Sequence, residues 1–127
     1  MTGLLELAAR CEAAIAEQQA PLLIEAFDLT NWRSRAKGRL VEHNPQWWRF
    51  DKMIRAEAFE SAAMTLVPEG HDTQVHLFFG RDGEGSAIVT PLKRIGLPRI
   101  FAATPALALT AAALRSRAAL VDKVSEI

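Results

Sequence analysis

Residues Ala103 to Leu120 constrain the fold of this chain more than any other stretch. Thr104 suits a helix N-cap, because its hydroxyl can accept from an orphan backbone N–H of the first turn. Pro105 then falls at the first helical position, where a missing N–H costs nothing. Ala and Leu, both strong helix formers, fill the interior. Leu107, Ala111, Leu114, Ala118 and Val121 recur at steps of three and four, which makes one apolar stripe, and Leu109, Ala113 and Leu120 widen it. Arg115, Arg117 and Lys123 fall towards the C-terminal end, where positive charge suits the helix dipole. So many alanines imply a close approach of helix backbone onto a sheet, and the preceding residues must supply that sheet.

Taken in order, residues 3–19 read as an amphipathic helix with Leu4, Leu7, Ala8, Cys11, Ala14 and Ile15 on one face. Pro21 is expected to open a second helix running to about Leu29. Residues 54–67 read as helix, with Ala56, Phe59, Ala62, Ala63 and Leu66 on the face and Pro68-Glu69-Gly70 ending it. The period then changes to two. Val75, Leu77 and Phe79 alternate with Gln74, His76 and Phe78, the pattern of a half-buried strand. Arg81 to Gly85 reads as a hairpin loop and Ala87 to Thr90 as the return strand. A short third strand is expected around Arg99 to Ala102. The expected fold class is therefore α+β, with an antiparallel sheet of two or three strands and the C-terminal helix packed on it. All 127 residues are expected to form a single domain.

Three strings carry a family resemblance. Ala58 to Gly70, the run from Ala103 to Leu109 with Leu114 to Ala118, and the opening Leu4 to Ala14 resemble the small phage and prophage proteins of the phage ABA-sandwich domain family. The resemblance implies an α-β-α sandwich from a phage, prophage or related element. It implies no activity and supplies no functional residues. Residues 31–55 and the region from Pro91 to Pro98 depart from the family's pattern.

The chemistry on offer is sparse. Fifteen basic and fifteen acidic residues cancel, so no global field draws nucleic acid or membrane. Cys11 is the single cysteine, which excludes an internal disulfide and suits a reducing compartment. Its place on an apolar helix face suits a buried small side chain rather than a nucleophile. No signal-peptide pattern or apolar run of membrane-spanning length is seen, so the expected location is cytoplasmic, away from membranes. His43, His71 and His76 fall in no metal-ligand spacing, and His71-Asp72 suits a solvated turn. Gly80, Gly83 and Gly85 lead into a strand, whereas a phosphate cradle leads into a helix N-terminus. No nucleophile elbow and no close carboxylate pair are present. The expectation is a protein that is not an enzyme and takes no metal or cofactor.

One segment stands apart. Asn31 to Arg55 holds seven bases against two acids, a net +5, and all three tryptophans, while the first thirty residues carry a net −4. Gly38 and Asn44-Pro45 interrupt it, so it reads as loop with one or two short elements. Trp32, Arg33, Arg35, Arg39, Trp47, Trp48 and Arg49 are the candidate binding residues. Trp and Arg dominate protein-binding hot spots, so a host or phage protein is the expected partner, with inhibition of a host defence complex one version. Arginine on phosphate and tryptophan on bases make nucleic acid the second reading. Assembly into a phage-like particle is the third. The same residues also suit a purely structural role, with tryptophans plugging the fold's edge and bases answering the adjacent acids.

Overall fold

The computed structural model describes residues 2–30, 45–68, 70–77, 85–91 and 99–125. Helix α1 spans Thr2–Ala13 and buries Leu4, Leu7, Ala8 and Cys11 at helical spacing. It stops well short of residue 19. Ile15 is extended (φ −90°, ψ 163°) and its backbone N–H donates to Gln18 Oε1 at 3.1 Å, which starts a 3-10 turn at Ala16–Gln18. Helix α2 then runs Gln19–Thr30 and buries Leu22, Leu23, Ala26 and Phe27. Pro21 is its third residue rather than its first. The first turn still tolerates it, because N–H groups there have no intrahelical acceptor.

The expected helix over 54–67 is divided, and part of the expected loop is helical. Helix α3 spans Pro45–Arg55 and helix α4 spans Phe59–Met64. Pro45 opens α3 at the position where proline costs least. The break between the two lies at Glu57, whose φ of 58° is left-handed. Ala58 N–H donates to Met53 O at 2.8 Å and Glu57 N–H to Ile54 O at 3.1 Å, a Schellman closure of α3 with glutamate where glycine is usual. Past α4, Thr65 and Leu66 turn back onto Ala62 and Ala63 through backbone bonds, and Gly70 (φ 75°) leads into the sheet.

Strands β1 (His71–Leu77), β2 (Gly85–Pro91) and β3 (Ile100–Ala102) form an antiparallel sheet in that order. His71 pairs with Pro91 and Leu77 with Gly85; Gly85 also pairs with Ala102. His71 is therefore the first residue of a strand, not part of a turn. The expected tip of the hairpin and the region after Pro91 lie outside the described residues.

Helix α5 spans Pro105–Ser125. Thr104 caps it as expected: its Oγ1 accepts from Leu107 N–H at 3.1 Å and donates to Gln19 Oε1 at 2.8 Å. The chain adopts the expected α+β fold, with the last helix packed against the sheet. Within it α5 is the middle element. It lies along all three strands on one side and meets α1, α2 and α4 on the others. Every residue from Pro105 to Leu114 is buried, which a helix covering one sheet face alone would not achieve. Gly85 permits the approach, because a Cβ there would run into the Pro105 backbone and ring. Ser116 Oγ donates to Val89 O at 3.1 Å and fastens the helix midpoint to β2. Leu120, expected on the apolar stripe, is 39% exposed.

Candidate functional site: the outer face of helix α3

Trp32, Arg33, Arg35 and Arg39 lie outside the described residues. Trp47, Trp48 and Arg49 all fall on α3, and the helix separates them. Successive residues on an α-helix point about 100° apart, and here that step leaves Trp47 against the core and Trp48 towards solvent. Trp47 is half-buried. Its ring lies 5.7 Å from that of Phe27 on α2 and 6.1 Å from that of Phe50, while Phe27 and Phe50 stack at 4.4 Å. Phe50 is fully buried, and Met53 and Ile54 pack against the same core. The Phe27, Trp47 and Phe50 rings bolt α3 to the body of the protein.

Trp48 faces the other way and is 47% exposed. Arg49, Lys52 and Arg55 are exposed on the same side. The steps 48, 52, 55 and 49, 52, 55 place these four side chains on one continuous face. At its edge Asp51 Oδ2 accepts from Arg55 Nε at 2.8 Å. Lys52 and Arg55 were visible in the sequence only as charges. They join the site once residues 45–55 form a helix, and the signal was already present in Pro45 followed by Trp47, Phe50 and Ile54 at helical spacing.

Two of the five acids in the first thirty residues, Glu25 and Glu12, pair with other cations. Arg10 forms a two-pronged pair with Glu25 at 2.7 and 2.9 Å. Arg115 on α5 reaches Glu12 on α1 at 2.6 Å. Arg117 Nε donates to the Leu66 carbonyl at 2.6 Å, and burial pushes its pKa down from the ordinary value. Arg115 and Arg117 thus tie α5 to its neighbours. Among the described residues, no carboxylate bonds Arg49 or Lys52.

A concavity of about 310 Å³ lies where α2, α4 and α5 begin, lined by Gln19, Glu57, Phe59, Glu60, Ser61 and Pro105. Glu57, Glu60 and Ser61 are exposed, and the lining holds no His or Lys beside the serine. Cys11 is fully buried, and desolvation pushes its thiol up to about 12, so it stays protonated and unreactive at neutral pH. Among the described residues, no group of three or more His, Cys, Asp or Glu could hold a metal ion, and no helix is long and apolar enough to cross a membrane. No known family model, curated protein or solved structure matches the chain.

Proposed function

We propose that the protein acts by binding another protein through the outer face of α3, as an accessory factor without catalysis of its own. The observation that carries this reading is the composition of that face. It holds Trp48, Arg49, Lys52 and Arg55, and its one anion, Asp51, is at the margin. A solvated helix face gains more from mixed charges, since like charges three or four residues apart destabilise a helix by about 0.2–0.5 kcal/mol per pair. Arg49–Lys52 and Lys52–Arg55 are both such pairs. Favourable placement near the helix C-terminus offsets this for Lys52 and Arg55, but less so for Arg49. An exposed tryptophan among cations is the composition of a binding hot spot. A phage or prophage origin, a cytoplasmic location and inhibition of a host defence complex remain parts of the proposal, supported by the strings from Leu4, Ala58 and Ala103 and by the chain's size.

The same cations and indole favour nucleic acid as the second reading, since a polyanion meets them equally well. One experiment separates the two. Tagged wild-type protein and a Trp48→Ala/Arg49→Glu variant are used to capture partners from lysate of the native cell, with and without nuclease. A protein retained by wild type after nuclease treatment and lost by the folded variant supports the proposal. Retention by both proteins overturns it, and nuclease-sensitive retention moves the function to nucleic acid. Trp48→Ala is the informative change, because Trp47→Ala opens the packed trio and is expected to cost about 3 kcal/mol of stability.

A further inference from the structure

We draw no further inference here: the strongest candidate, the concavity where α2, α4 and α5 begin with the exposed Glu57 and Glu60 on its lining, rests on helix starts and a pair of acids alone, and no buried, unpartnered polar side chain among the described residues shows what fills it.

Discussion

Glu57 shows how one residue redirects a chain. Its left-handed backbone ends α3, and Ala58 then restarts the chain as α4. A residue with a Cβ is disfavoured in that conformation by about 1–2 kcal/mol, and glycine is not. Glu57→Gly should therefore raise stability by about 1 kcal/mol, read as an increased midpoint in urea with an unchanged slope. A lower midpoint would mean that the Glu57 side chain contributes more than the backbone strain removes. No sequence pattern announces this turn. Residues 54–67 keep an apolar helical period straight through it, because Ile54 and Phe59 both face the core on either side of the break. Trp47 and Trp48 teach the opposite lesson. Their separation was legible from helical spacing, but Asn44-Pro45 reads equally as a breaker and as a helix start, and that ambiguity hid it.

At the scale of elements, α5 carries the most weight. Leu114 is fully buried where the helix meets its neighbours, whereas Leu120 is 39% exposed. Leu114→Ala is expected to cost about 2–5 kcal/mol, and Leu120→Ala less than about 1 kcal/mol. Thermal unfolding of the two variants checks this, and equal losses would place the stripe differently. The helix's cap and start were readable, since Thr104 and Pro105 act on their own first turn. The strands were readable too, from alternation over β1 and the short run of β2. The end of α1 was not. Apolar spacing runs on through Ala14 and Ile15, yet Ile15 is 60% exposed, because the 3-10 turn carries the chain away to reach α2.

Over the whole molecule, ties between distant residues link the described elements. Arg115 joins α5 to α1 across 103 residues of sequence, Thr104 joins it to α2 across 85, and Arg117 reaches back to the end of α4. Such a layout predicts cooperative unfolding: tryptophan fluorescence, sensing Trp47 in its aromatic trio, and far-ultraviolet circular dichroism, sensing the helices, should give coincident denaturant curves. An earlier fluorescence transition would show α3 detaching before the core opens. The sequence by itself determined the α+β class, the capped start of the last helix and the antiparallel pairing of the first two strands, because capping and periodicity act between residues a few positions apart. Only the tertiary structure decided that α5 lies in the middle of the fold, that α3 turns three cations and an indole outward, and that Arg115 and Arg117 are internal ties. Those outcomes depend on which distant groups share a surface: an alanine-rich helix fits against a sheet or another helix equally well, and a charge is solvated or paired according to what the fold brings beside it.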